Sequence, residues 1–94
     1  MERTDKILDD IKELLNKKNQ DYGNSFHDSY VEFGIIASVV RLSDKFNRLK
    51  SLTKGNHPHF ESMEDTLKDI IGYCTLTLIE LQEHNSKINK DYEN

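Results

Sequence analysis

The sequence contains no tryptophan, a single cysteine and no long apolar run, and each absence excludes a class of protein. Without a second cysteine there is no intrachain disulfide. Because Cys74 lies inside an apolar helical run, it is predicted to be a core residue of a protein in a reducing compartment. Without an apolar run of about 20 residues there is no membrane span, and the charged residues 1–19 do not resemble a signal peptide. We therefore expect a cytoplasmic protein.

Apolar residues are also scarce, at 35% of the 94 positions. A chain of this size buries only a modest core by itself. Extra burial by self-association is therefore expected. We predict a homodimer or a larger even-numbered oligomer, assembled through the second and third helices described below.

The chain has no excess of positive charge, since 13 Lys and Arg residues stand against 17 Asp and Glu residues, for a net charge of −4. Nucleic-acid-binding domains are basic, which makes nucleic acid an unlikely partner. The phosphate loop G-x-x-x-x-G-K-[ST], the dinucleotide motif G-x-G-x-x-G and the nucleophile motif G-x-S-x-G are all absent. Local basic clusters on this acidic background instead indicate a small anionic ligand.

What the sequence does contain is helical periodicity. Apolar spacing predicts a short helix from Thr4 to about residues 17–19, a long one from about Phe26 to Leu52, and a third from Ser62 to about His84. No alternation typical of strands is present. The predicted fold is all-α, with three main helices in one domain over residues 1–94. Residues 86–94 are expected to form a frayed tail, and the helices are expected to assemble into an oligomeric bundle.

The second predicted helix has two different sides. One side is apolar and predicted to face the core, and comprises Ile35, Val39, Leu42, Phe46 and Leu49. The other combines small and charged residues, namely Gly34, Ala37, Arg41, Asp44, Lys45 and Arg48. Because the three cations are spaced at i, i+4 and i+7, they can converge on one anionic group. This side is predicted to bind a phosphate-bearing ligand.

The third predicted helix carries an acidic side. Asp65 and Asp69 lie one turn apart, with Gly72 and Tyr73 beside them. Carboxylates at this spacing, joined by Asp44 from the facing helix, could hold Mg²⁺ while a ligand phosphate fills other positions. Alternatively, these acids pair with the cations of the second helix and have only a structural role. The sequence leaves both interpretations open.

The turn between the first two predicted helices adds two candidate ligand contacts. Tyr22 could stack on a base, and Gly23 could allow backbone N–H groups to approach a phosphate. The alternative is that the aromatic residues here simply anchor the loop to the core.

Three separated blocks resemble a known family. They are DYGNSF at 21–26, RLSDKFNRLKSL at 41–52 and EDTLKDIIGY at 64–73, and they are similar to the phage and bacterial family called nucleotide modification associated domain 1. More distantly, the chain is similar to MazG-like all-α NTP pyrophosphatases. Those are helical oligomers that hold Mg²⁺ with carboxylates from two facing helices and cleave a nucleoside triphosphate to monophosphate and pyrophosphate.

The resemblance implies a nucleotide or nucleotide-derived ligand, with Mg²⁺ as a possible cofactor. Tyr73, an aromatic residue near the charged side chains, is a further candidate ligand contact. In a phage setting it implies a sponge that sequesters a nucleotide immune signal in the host cytoplasm. The pyrophosphatases have E-x-x-E where this chain has Arg41 and Asp44, which favours binding over hydrolysis and leaves Asp44 as the catalytic candidate if the protein is an enzyme. Three functions stay open: a nucleotide binder, a Mg²⁺-dependent pyrophosphohydrolase and a non-catalytic structural oligomer.

Overall fold

The computed structural model describes the backbone of residues 1–22, 24–55 and 59–93, and the side chains of residues 1–19, 24–55 and 59–84. Four helices contain almost all of these residues: α1 (Glu2–Tyr22), α2 (Ser25–Phe33), α3 (Ile35–Leu52) and α4 (Phe60–Glu93). The described backbone contains no strand, which confirms the all-α prediction. None of its helices has an apolar stretch long enough to cross a bilayer.

The predicted count of three helices is wrong, because the long second helix is divided at Gly34. This residue has φ 73° and ψ −158°, a conformation that is accessible essentially only to glycine. Its N–H donates to the carbonyl of Tyr30 and ends α2, while its own carbonyl accepts from Ala37 N–H in the first turn of α3. Among the described residues no atom lies within 4 Å of the position that a Gly34 Cβ would occupy. Gly34 therefore changes the direction of the chain, and no other part of the described structure packs closely against it.

Two helices also extend further than their apolar periodicity predicts. α1 continues to Tyr22 instead of ending at residues 17–19, and α4 continues to Glu93 instead of ending near His84. Neither glycine nor proline occurs at 17–22 or at 85–93, so no residue there interrupts the helix. Periodicity marks the apolar face of a helix, which can be shorter than the helix itself.

α3 and α4 form an antiparallel hairpin, and α1 packs across α4. The direction follows from two contacts, since Lys45 meets Asp69 and Arg41, one turn earlier, meets Tyr73, one turn later. Gly72 is buried where α1 crosses, and a Cβ there would lie 3.3 Å from Cδ2 of Leu15. The absence of a side chain at Gly72 thus allows α1 to pack closely against α4 within one chain.

Few of the described side chains are fully buried between the helices, and most of those are polar. Ile11 is the one large apolar side chain that is buried in the described part of the chain, whereas Ser38, Thr66, Thr77 and Glu80 are all buried. Thr66 and Thr77 donate their hydroxyl hydrogens to carbonyls of the preceding turn, at 2.8 and 2.7 Å, so their burial leaves no unsatisfied donor.

The predicted core face of α3 is covered only in part. Leu42 and Leu49 are half-buried, but Ile35, Val39 and Phe46 are each roughly half exposed. Cys74, predicted to be a core residue, is exposed as well. The periodicity locates the apolar face correctly, yet the chain by itself does not cover that face.

Candidate functional site

A cavity of about 690 Å³ lies where the end of α1 and the start of α2 meet the middle of the α3–α4 hairpin. Its lining divides into two chemically different walls. One wall carries two cations and two aromatic rings, and the other carries an imidazole and two carboxylates: Lys18, Arg41, Phe26 and Tyr73 on the first, and His27, Glu80 and Glu83 on the second. We call them the cationic wall and the acidic wall.

On the cationic wall, Tyr73 joins two elements. Its ring centroid lies 6.0 Å from that of Phe26 on α2, with 30° between the ring planes. The guanidinium carbon of Arg41 on α3 lies 5.8 Å from the same ring centroid, within the range of a cation–π contact. Tyr73 thus holds a guanidinium and a second aromatic ring at the edge of the cavity.

On the acidic wall, three possible ligand atoms converge. One from each of His27, Glu80 and Glu83 lies within 4.8 Å of the other two. Nδ1 of His27 is 2.6 Å from Oε1 of Glu80, whose side chain is nearly buried. The hydrogen bond to Glu80 and the charge of that carboxylate raise the pKa of His27 above its usual 6.5. Two carboxylates and an imidazole are ligand types that suit a divalent cation.

Residue spacing alone does not single out the acidic wall as a site, although part of the wall is visible in the sequence. Glu80 and Glu83 are spaced i, i+3, and Glu80 stands between the apolar residues Ile79 and Leu81. A carboxylate at such a position needs a partner, because burying an unpaired charge is costly. His27 could not have been assigned, since it lies 53 residues away along the chain and reaches Glu80 only through the placement of α2.

A second charged cluster joins three helices beside the cavity. The amino group of Lys18 on α1 lies 2.9 Å from Oδ1 of Asp69 on α4, and that of Lys45 on α3 lies 3.0 Å from Oδ2. Burial by itself would raise the pKa of Asp69, but the hydrogen bonds and charges of both lysines outweigh it and hold that pKa below its usual 3.8. Asp69 and Lys45 therefore match the structural alternative, in which acids of the third predicted helix pair with cations of the second.

The three carboxylates predicted to bind Mg²⁺ are not brought together. Asp44 and Asp65 are exposed, and Asp69 is bonded to two lysines. Among the residues with described side chains, the one group of three converging ligand atoms is the acidic wall. Asp44, which was the catalytic candidate, does not line the cavity.

The predicted ligand contacts are separated in a similar way. Arg41 and Tyr73 line the cavity, whereas Arg48 is exposed and does not. The side chain of Tyr22 and the whole of Gly23 lie outside the described residues. Because the cations at i and i+4 contact different groups, they do not converge on one point as their spacing suggested.

The fold and the cavity define an all-helical protein in which a hairpin carries a charged site on its inner side. The chain belongs to the family described as nucleotide modification associated domain 1, whose model matches residues 18–81. That range begins at Lys18 and includes every wall residue named above except Glu83. No curated protein and no solved structure matches the chain.

Proposed function

We propose that this protein binds a nucleotide or a nucleotide-derived ligand in the cavity between the two walls. The observation that carries the proposal is the meeting of Arg41 and an aromatic pair with converging carboxylates in one space of about 690 Å³. That volume falls within the ~300–1,000 Å³ typical of small-ligand sites. Membership of a family named for nucleotide modification supports the same class of ligand.

The cationic wall suits the phosphates and the base. Arg41 can give two parallel hydrogen bonds to a phosphate. Lys18 keeps donors for the ligand, since an ammonium group has three and Asp69 accepts one. Phe26 offers an aromatic face on which a base can stack, a contact that does not depend on which base is present.

The acidic wall suits a divalent cation that arrives with the ligand. Without such an ion, Glu80 and Glu83 would repel the phosphates of a ligand that occupies the same cavity. Mg²⁺ commonly takes one or two carboxylates and completes its coordination with substrate phosphates. In this arrangement His27 orients Glu80 through the hydrogen bond already formed. Binding should therefore strengthen when Mg²⁺ is added.

Hydrolysis is the second candidate, and the acidic wall is the observation that favours it. Carboxylate-held Mg²⁺ is what the MazG-like pyrophosphatases use to cleave a nucleoside triphosphate to monophosphate and pyrophosphate. Binding without turnover would instead suit a sponge that sequesters a nucleotide immune signal. The two candidates use the same cavity and differ in the state of the ligand that leaves it.

Incubation with a panel of nucleotides separates these functions. The protein is mixed with linear and cyclic nucleotides, with and without Mg²⁺, washed, denatured, and the released small molecules are identified. Intact ligand indicates binding, and monophosphate with pyrophosphate indicates hydrolysis. A panel that is neither retained nor turned over would contradict both and leave the structural oligomer.

A matched pair of variants tests the acidic wall in the same assay. Glu83→Gln removes one carboxylate charge from the cavity with little change in shape, and it should abolish the effect of Mg²⁺ on retention or turnover. Glu64→Gln makes the same change at an exposed position of α4 outside the cavity, and it should leave that effect intact. Equal responses of the two variants to Mg²⁺ would show that the ion does not bind at the acidic wall.

A further inference from the structure

The outer side of the α3–α4 hairpin carries a row of exposed apolar side chains. We define the outer apolar face by six of them: Ile35, Val39 and Phe46 on α3, and Leu67, Ile71 and Leu78 on α4. Each is 38–55% exposed. On α4 they repeat at the spacing of Asp69, Tyr73 and Glu80 but two residues earlier, which is about 200° around the helix. The outer apolar face therefore points away from the cavity.

A groove connects the two helices across this face. It has a volume of about 370 Å³ and is lined by Val39, Leu42, Ser43, Phe46 and Ile70, none of which is charged. The apolar side chains of α3 and α4 thus form one surface instead of two separate stripes. The groove lining itself is uncharged, and the amino group of Lys50 lies 5.0 Å from the centroid of the Phe46 ring.

We propose that the outer apolar face is covered by the same face of a second copy of this chain. Within the described residues Ile11 is the one large apolar side chain that is buried, and a chain with so small a core gains little stability from folding by itself. A partner that packs on the outer apolar face must then be present whenever the chain is folded. A second copy is the partner that is always available in equal amount.

The outer apolar face extends to the start of α4. Phe60 lies seven residues before Leu67, on the same side of the helix, and is 67% exposed, so seven large apolar side chains contribute to the ~800 Å² per partner that a stable interface buries. An interface made of one patch meeting its own copy has two-fold symmetry. Two hairpins joined in this way form a four-helix arrangement with the apolar side chains inside. The two cavities lie on the outside and stay accessible.

The mass of the protein in solution tests this interface. Light scattering at micromolar concentration should give twice the 11.0 kDa of one chain. Leu78→Asp should raise the dissociation constant of the dimer by at least about 100-fold, because it buries an unpaired charge. Leu8→Asp is the matched control, since Leu8 on α1 is 54% exposed against 55% for Leu78, and it should leave the mass unchanged. A monomeric native protein, or equal dissociation of both variants, would overturn the proposal.

The unmodified protein offers a second test that does not depend on how a variant folds. Cys74 is exposed in a single chain and lies between Ile71 and Leu78 on the same side of α4. A second copy on this face should shield its thiol, so the rate of reaction with a thiol reagent should rise as the protein is diluted and the dimer dissociates. A rate that is fast and independent of concentration would show that the outer apolar face is uncovered.

Discussion

The two sides of α4 differ in composition, and the polar side is the one that faces the rest of the chain. Asp69, Tyr73 and Glu80 face the other helices of the chain, whereas Leu67, Ile71 and Leu78 are left exposed. In most small proteins the apolar side is the one that the chain buries and charged residues stay at the surface. A helix with this arrangement has its polar side occupied within the chain and its apolar side available to a partner.

We propose that the charges on the inner side have a role besides stability. Partly buried ion pairs seldom add net stability, although breaking one by removing a partner is costly. The inner side nevertheless gathers Lys18, Lys45 and Asp69 in one cluster, about three turns along α4 from the acidic wall. This concentration is easier to explain as the support of a charged ligand site than as a way of holding three helices together.

The largest effect on the inner side is expected from Gly72→Leu. A Cβ at this position already lies 3.3 Å from Leu15, so a larger side chain must push α1 away, at a cost of roughly 1–3 kcal/mol. Thermal unfolding at fixed protein concentration should show a fall of about 4–8 °C for each kcal/mol. Gly72→Ala is the control, because the flexible end of Leu15 can move and the gain in helix propensity of about 1 kcal/mol offsets the contact. Unfolding temperatures that are equal for native protein and Gly72→Leu would mean that α1 does not pack here.

A smaller loss is expected from Asp69→Asn, which leaves two lysines without their carboxylate. The free energy of unfolding should fall by about 1–2 kcal/mol, since the site is only partly buried. Asp65→Asn, one turn away and exposed, should change it little. Because the pKa of Asp69 is lowered, the stabilisation is present above its unfolded value of 3.8 and is lost as the pH falls through the lowered pKa. Unchanged stability together with a lost response to Mg²⁺ would indicate that Asp69 binds the metal and that its lysine contacts do not stabilise the fold.

The smallest effect concerns the titration of His27. Its pKa is raised by Glu80, so the protonated form is favoured in the folded state. The stabilisation is fully present below pH 6.5 and is lost as the pH rises through the raised pKa. A histidine-detected NMR titration should give a pKa above 6.5 in the native protein and a lower value in Glu80→Gln. Since a metal needs neutral imidazole or competes for Glu80, added Mg²⁺ should also lower the pKa of His27. Identical titrations in native protein and Glu80→Gln would show that Glu80 does not interact with His27.

Much of the fold could be predicted, because helices have a strong periodic signal. The all-α class and the apolar positions of α3 and α4 follow from that signal, and the division at Gly34 does not, because a glycine within a periodic run is compatible with a continuous helix. Periodicity also cannot tell whether an apolar face is buried by the same chain or by another. For this reason Ile35, Val39 and Phe46 are on the predicted face but remain half exposed.

The candidate site could be predicted less well, because its contacts join distant parts of the chain. Arg41 and Tyr73 were identified from the charged side of one helix and the residues beside the acids of another. Lys18 and His27 come from α1 and α2, whose placement across the hairpin has no signature in local spacing. Arg41, Lys45 and Arg48 share one side of α3, yet each has a different environment, since side-chain neighbours depend on the crossing helices.

A pair of arginine variants tests whether the inner side of the hairpin binds the ligand at Arg41. Calorimetry would use the nucleotide identified by the release experiment and compare Arg41→Ala with Arg48→Ala, the same change seven residues further along α3. Arg41 lines the cavity and Arg48 does not. Arg41→Ala should weaken binding at least tenfold, or more than about 1.4 kcal/mol, and Arg48→Ala should bind as the native protein does. Native affinity in Arg41→Ala, or a loss confined to Arg48→Ala, would mean that the ligand does not bind at Arg41.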